Sequence, residues 1–507
     1  MLRSSLFAYL KAAFKPQVPC FFGAVALALL TAGCAVGPNF KTPVAPGSAG
    51  YTHHPLPVKT SSANVHGGDA QVFVQKLDIP GQWWKLFGSR PLNDLIAEAI
   101  KNNPDLDSAR AALREAWENV YAQQGAFFPS IGVGYSATRQ EVPGQLGTPT
   151  ASGAYTYSLH TAQVTVGYTP DVFGATRRQV ESLVAQADSQ RFELEAAYLS
   201  LTSNVVAAAI QEAGLRAQIA ETVKILDIET HSLTLLQRQY ALGEVANADV
   251  VAQEAALANA KSSLPPLQKQ LDQQRDLLAR LAGGFPNQSL PASFELSSLK
   301  LPQKLPVSLP SSLVEQRPDV RAAQAQMHAA CAQVGVAIAN RLPDITLSAS
   351  LGSGAMAIAQ LFTPGTGFWT LAAGATQPIF EGGELLHKQR AAQAEYEQTA
   401  AQYRSTVLTA FQNVADVLHA IQNDAVALNA AVEAEHAASL SLTIARRQLE
   451  LGAIGYLSLL NAEQTYQQAA INLAQALSNR YADTAALFQA LGGGWWNRAA
   501  KSARPGA

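Results

Sequence analysis

Charge is scarce in this sequence. Only 15% of its 507 residues are Asp, Glu, Lys or Arg, against 48% hydrophobic ones, which is low for a soluble protein and far from the composition of a disordered chain. Neither sign dominates, since the formal charge is −2, and no basic patch is present to neutralise a phosphate backbone. A nucleic-acid partner is therefore not expected. Cysteine is nearly absent. Of Cys20, Cys34 and Cys331, the first lies in an amino-terminal leader and the second at its end, so the mature chain keeps no disulfide pair and no cysteine-based zinc site. Cys331 reads as a small apolar residue on a helix. His53, His54 and His66 lack Cys, Met or acidic companions and read as exposed loop histidines. No His/Asp/Ser set, acidic pair or glycine-rich phosphate loop occurs in a supporting context, so neither an enzyme nor a metal or cofactor site is expected.

The amino terminus carries Arg3, Lys11 and Lys15, then an apolar core from Cys20 to Leu30, then Leu30-Thr31-Ala32-Gly33-Cys34. This order predicts a signal peptide over 1–33; the alternative is an uncleaved anchor helix over Val18 to Val36. The small residues before Cys34 resemble a bacterial lipobox, which implies acylation of that cysteine as the new amino terminus. Ala35, in place of Asp, then implies sorting to the outer membrane.

One stretch is written twice. Pro104 to Ser136 aligns without a gap with Pro318 to Ser350, pairing Asp105 with Asp319, Val120 with Val334, Pro129 with Pro343 and Ile131 with Ile345. In each copy Pro-Asp opens a helix of about six turns, a second proline ends it, and a period-two stretch follows. Ile345, Leu347, Ala349 and Leu351 alternate with Thr346, Ser348, Ser350 and Gly352, as Ile131, Val133, Tyr135 and Ala137 do with Gly132, Gly134, Ser136 and Thr138. A soluble sandwich strand can read this way. So can a strand of a water-filled membrane barrel, with lipid on one side and water on the other. Tyr155 to Tyr168 and Phe368 to Gln377 read as returning strands, and a change of phase near His160 leaves room for a bulge.

Long helical hairpins follow each strand pair. Thr176 to Tyr240 lacks proline and predicts a helix of roughly 95 Å, too long for a compact domain. The chain then turns at Leu242-Gly243 and returns to Leu281, bent at Pro265-Pro266. Leu385 to Leu449, Leu451-Gly452 and Tyr456 to Leu491 repeat the plan. Alanine-rich seams allow such helices to pack as antiparallel coiled coils. Four strands cannot close a transmembrane barrel, for which about eight is the minimum. Three chains give twelve strands and room for water. A homotrimer is expected.

Cys34-Ala35-Val36-Gly37-Pro38-Asn39, Trp83-Trp84 with Leu86-Phe87-Gly88, Asn103-Pro104-Asp105-Leu106, Gln316-Arg317-Pro318-Asp319-Val320-Arg321, Gln377-Pro378-Ile379-Phe380 and the terminal Ala490 to Trp495 together resemble the TolC-like outer-membrane efflux proteins, in their OprM/NodT lipoprotein branch. The resemblance implies a mainly α fold with a small β part, in which duplicated long helical hairpins and two β-hairpins form a trimeric outer-membrane β-barrel continued by a periplasmic α-helical barrel. The expected divisions are a signal peptide over 1–33, a lipidated tether over 34–80, a first repeat over 81–285 (strands 130–168, helical hairpin 176–281), a linker over 286–312, a second repeat over 313–494 (strands 344–378, helical hairpin 385–491) and a tail over 495–507. Also implied are a periplasmic adaptor and an inner-membrane pump of the RND type. In the family the helical tips form an iris and dock the adaptor. The matching turns here hold Tyr240, Leu242 and Gly243 in the first half and Leu449, Leu451 and Gly452 in the second. Family members often carry acidic residues where this chain has Ser458 and Asn461, which weakens the resemblance at the gate and leaves Asp249 as the remaining candidate for a gate carboxylate. Its plainer reading is a first-turn carboxylate facing the helix dipole. The implied function is the exit duct for drugs or other small solutes. Two alternatives are a duct for type I polypeptide secretion and a non-channel structural coiled-coil lipoprotein, against which the strand hairpins speak.

Overall fold

The computed structural model describes residues 35–47, 50–143, 154–288 and 292–498. The expected leader, Cys34, the middle of the first strand loop and the end of the tail lie outside the described residues. In chain order the regular elements are β1 (Val72–Gln75), α1 (Arg90–Asn102), α2 (Pro104–Gln124), β2 (Ser130–Val142), β3 (Tyr155–Tyr168), α3 (Ala175–Ala241), α4 (Asn247–Leu281), β4 (Lys304–Val307), α5 (Pro310–Gln316), α6 (Pro318–Ala339), β5 (Asp344–Ala355), β6 (Gly367–Thr376), α7 (Glu384–Glu450) and α8 (Tyr456–Ala490). The duplication is visible in the lengths: α3 and α7 have 67 residues each, and α4 and α8 have 35 each. At 1.5 Å per residue the longer pair runs about 100 Å. The helix α4 continues through Pro265 and Pro266, although each proline removes a backbone donor.

The chain folds as two compact units. The first holds Trp117–Gln186 and Met327–Thr399, with the described residues up to Lys41. Its centre is one antiparallel sheet in the order β2-β3-β5-β6. The two hairpins expected from the halves are thus joined by pairing of β3 with β5. No bulge forms near His160, where the change of phase left room for one: β2 and β3 stay in register from Ser130 opposite Gly167 to Val142 opposite Tyr155. A bulge requires an unpaired extra residue, and here every residue has its partner, so the change of phase is a change in what each face of β3 carries. Beside the sheet, the chain from Ala35 is strapped to Arg178. Its guanidinium donates to Val36 O at 3.1 Å and Asn39 Oδ1 at 2.7 Å, and pairs with Glu181 at 2.7 Å. Glu181 also meets His328 at 2.9 Å, and His328 stacks on Phe40.

The second unit holds Thr42–Ala116, Ala187–Gln326 and Ala400–Ala507. The stretch read from composition as an irregular tether contains β1, which pairs in parallel with β4 from the expected linker. Backbone pairing between two distant segments built it, a contact that local composition does not reveal. Trp83 is fully buried and stacks on Phe488 of α8 at 5.3 Å, so the aromatic cluster of the first half is anchored on the last helix. The residue before each Pro-Asp pair ties the end of a returning helix. Asn103 Nδ2 donates to Leu281 O at 3.1 Å and its Oδ1 accepts from Asp105 N at 2.9 Å; Arg317 Nη1 donates to Ala490 O at 3.0 Å and its other nitrogens grip Asp319. Leu281 and Ala490 are the last residues of α4 and α8. The duplicated joint is kept by different chemistry.

Candidate functional site

Residues opposite one another on neighbouring strands point to the same side of a sheet. Ile131 pairs with Val166, Val166 with Ala349, and Ala349 with Leu371. Val133, Val164, Leu351 and Trp369 form the next row on that side. The four apolar alternations therefore coincide on one face. The opposite face carries Gly132, Thr165, Ser350 and Thr370 in one row. Ile131 and Leu371 are each 73% exposed, so these positions of the apolar face stay open among the described residues. Among the described residues no helix is long and apolar enough to cross a membrane.

The turns that reverse the two helical hairpins form a second candidate site. Both outgoing helices stop in the same way. Gly243 and Gly452 take φ of 79° and 72°, the left-handed region where a Cβ is strained. Gly243 N donates to Tyr240 O and Glu244 N to Gln239 O, both at 2.9 Å; Gly452 N and Ala453 N repeat this onto Leu449 O and Gln448 O. This pair of bonds is a Schellman ending, which satisfies carbonyls that the helix leaves unpaired. Tyr240, Leu242 and Leu451 are exposed at these turns, whereas Leu449 packs against a cluster containing Leu236, Val250, Leu442, Tyr456 and Leu460.

The returning helices begin at Asn247 and Tyr456 after Ala246 and Gly455, neither of which caps with a side chain. Asp249 N bonds Ala246 O at 3.1 Å and Ser458 N bonds Gly455 O at 3.0 Å. Asp249 and Ser458 are therefore the same position of the two repeats, three residues into the helix, and only the first carries charge. Asp249 is half-buried, while Ser458 and Asn461, one turn further on, are exposed. A carboxylate in a first turn faces the positive end of the helix dipole.

Behind these residues lies a polar network that the sequence reading missed. Gln253, fully buried, donates to Glu229 Oε2 and to Glu229 O, and accepts from the Tyr456 hydroxyl. Glu463, 4% exposed, lies 3.5 Å from Ser232 Oγ and 3.6 Å from Arg446 Nη2, and its Oε2 has no partner. Burial, helped by the nearby Glu229 charge, pushes its carboxyl up to about 7. Burial also raises Glu229. A signal was available: Tyr456, Leu459, Leu460 and Glu463 stand at i, i+3, i+4 and i+7, which puts a carboxylate on the apolar stripe of α8. Among the described residues no group of three or more His, Cys, Asp or Glu side chains converges as a metal site.

A family model for outer membrane efflux proteins matches residues 95–284 and again 309–493. The chain is similar to the pyoverdine export outer membrane protein OpmQ of Pseudomonas aeruginosa, at 30% identity over 421 residues, covering 82% of this chain and 87% of that protein. It is also similar to the toluene efflux pump outer membrane protein TtgC of Pseudomonas putida, at 27% identity over 472 residues, covering 93% and 95%. Among solved structures, the outer-membrane channel OprN matches with a TM-score of 0.81 at 26% identity, covering 91% of this chain and 100% of that one. The outer membrane protein VceC from Vibrio cholerae matches with a TM-score of 0.77 at 27% identity, covering 82% and 100%.

Proposed function

The chain belongs to the outer membrane efflux protein family, and from that premise we propose that it works as a homotrimer, the outer-membrane exit duct of a tripartite system that expels small organic solutes. The observation that carries this reading is the sheet. Its two faces are sorted into apolar and small-polar, and its edges, β2 and β6, have no partner strand within the described chain. Open edges seek pairing. In an antiparallel order of four, the edge strands run in opposite directions, so β6 of one copy pairs antiparallel with β2 of the next. Three copies close twelve strands, with lipid against the apolar rows and water against the Gly/Ser/Thr rows.

The solute class rests on the relatives, one named for pyoverdine export and the other for toluene efflux. Neither of these relatives is named for polypeptide secretion. The exposed turns at Tyr240, Leu242, Gly243, Leu451 and Gly452 are the surface for a periplasmic adaptor, which links the duct to an inner-membrane pump of the RND type. Acylation at Cys34 anchors the amino terminus. Cys34→Ser is expected to abolish incorporation of labelled palmitate, and equal labelling of variant and parent would remove the anchor.

The duct itself is tested by mass and conductance. Detergent-purified protein is expected to be trimeric and to form ion-conducting pores in planar bilayers. A dimeric mass, or trimers without conductance, would overturn the proposal.

A further inference from the structure

The face of the sheet that carries glycine, serine and threonine near the helices does not keep that character to its other end. On β3 the residues Gly167, Thr165, Gln163 and Thr161 share that face with Leu159, Tyr157 and Tyr155, since β3 pairs without a break along its whole length. On β6 the row of Thr370 and Ala372 continues to Phe368, opposite Gly352. The reverse change occurs on the other side of the sheet. Beyond Tyr135 the apolar face becomes Ala137, Arg139 and Glu141 on β2, beside His160, Ser158 and Thr156 on β3. The two faces exchange chemistry at one level.

Lipid accounts for half of this exchange. Above the hydrocarbon an outer wall needs no apolar residues, and Arg139 and Glu141 suit a headgroup or aqueous setting. It gives no reason for large apolar groups on the inner wall at the same level. Those groups form a built surface. Tyr155 and Tyr157 stack with ring centroids 6.0 Å apart, and the Gln140 amide holds the Tyr157 hydroxyl. Phe368 lies over glycine: a Cβ on Gly352 would stand 2.8 Å from its ring, and one on Gly354 would meet both Phe368 and Leu159 at 3.9 Å. Tyr155 and Leu159 remain 47% and 39% exposed.

We propose that Tyr155, Tyr157, Leu159 and Phe368 line the duct near its external mouth as an apolar collar that binds aromatic or amphipathic solutes in transit, making these residues determinants of what leaves readily. The inference rests on the duct reading above. Threefold symmetry brings three sets of the four side chains around one axis, where the wall below them offers only small polar groups. On this face of the sheet a planar or apolar solute meets ring faces at these residues, and an aromatic cation gains the attraction of the ring quadrupole as well.

The test uses the full-length trimer in planar bilayers, with tetraphenylphosphonium applied to both sides and tetramethylammonium as a cation of equal charge without aromatic surface. Parent pores are expected to show tetraphenylphosphonium block that tetramethylammonium does not produce. Tyr155→Ser/Tyr157→Ser, which leaves Phe368 on its glycine floor, should conduct normally and shorten the block roughly tenfold. Adding Phe368→Ser should abolish it, and Tyr157→Phe should retain it. Equal block of parent and serine variants, or no block of a conducting parent, overturns the collar. Parent trimers that do not conduct at all overturn the duct reading instead.

Discussion

Glu463 is the residue at which chemistry and packing conflict most openly. A carboxyl held near 7 by burial, above an unfolded value of about 4.3, binds its proton more tightly in the folded tip than in the open one. Its contribution to the packed state is full below about pH 4 and is lost as pH rises through about 7. The helical ends around Leu459, Leu460 and Leu236 are thus expected to loosen between about pH 5 and pH 8. Hydrogen exchange of the tip amides in the trimer checks this, with protection falling over that range in the parent and staying level in Glu463→Gln. If both proteins follow the same pH profile, another group drives it. The Arg446 guanidinium, 3.6 Å away, pulls the carboxyl back down, but by less than burial and the Glu229 charge push it up.

Asp249 is a simpler case. Three copies of a carboxylate at a narrow mouth would reinforce one another's field, so Asp249→Asn is expected to lower cation preference, most clearly at low salt where screening is weak. Its counterpart Ser458 adds no charge to oppose this. Unchanged ion selectivity in bilayer recordings would leave Asp249 as a helix-terminal carboxylate only.

Among the elements, the two turns with matching hydrogen bonds make the sharpest case. Each outgoing helix of 67 residues is reversed over a few residues, and the reversal depends on one left-handed glycine per turn. Replacing Gly243 or Gly452 by alanine places a Cβ in that region at a cost of about 1 kcal/mol. Limited proteolysis of folded trimers should then cut faster at the substituted turn, while the sheet stays intact. Equal cutting of parent and variants would mean that the turn relaxes into another ending. The helix α4 continues through Pro265 and Pro266, where the two missing backbone donors led the sequence to predict a bend.

For the whole molecule the decisive contrast is between adjacent residues of β5. Leu347 lies in the apolar row with Tyr168 and Ala373, and Ser348 in the polar row with Gly167 and Ala372. An arginine facing lipid near mid-membrane costs roughly 2 to 4 kcal/mol per site, whereas one facing a wet lumen stays hydrated. Leu347→Arg is expected to reduce the yield of inserted trimers well below that of Ser348→Arg in cell membrane fractions. The reverse order would exchange inside and outside.

The sequence by itself determined what is local or periodic. Proline positions set where α2 and α6 begin, the two-residue alternation set the faces of β2 and β5, the long proline-free runs set α3 and α7, and Leu-Gly set both turns. Duplication made each reading twice over, which is why the halves agree in length. Tertiary structure decided what depends on partners far away in the chain. The β3 to β5 pairing merges two hairpins into one sheet, β1 finds β4 from beyond both the first hairpin and the first pair of long helices, and register converts an apparent bulge at His160 into an exchange of faces. It also brings Glu229, Gln253, Tyr456 and Glu463 from three helices into one buried network. A polar residue on an apolar stripe can be noticed in the sequence, but only packing decides which other groups meet it, because hydrogen bonds and burial depend on the distance between side chains in space and not along the chain.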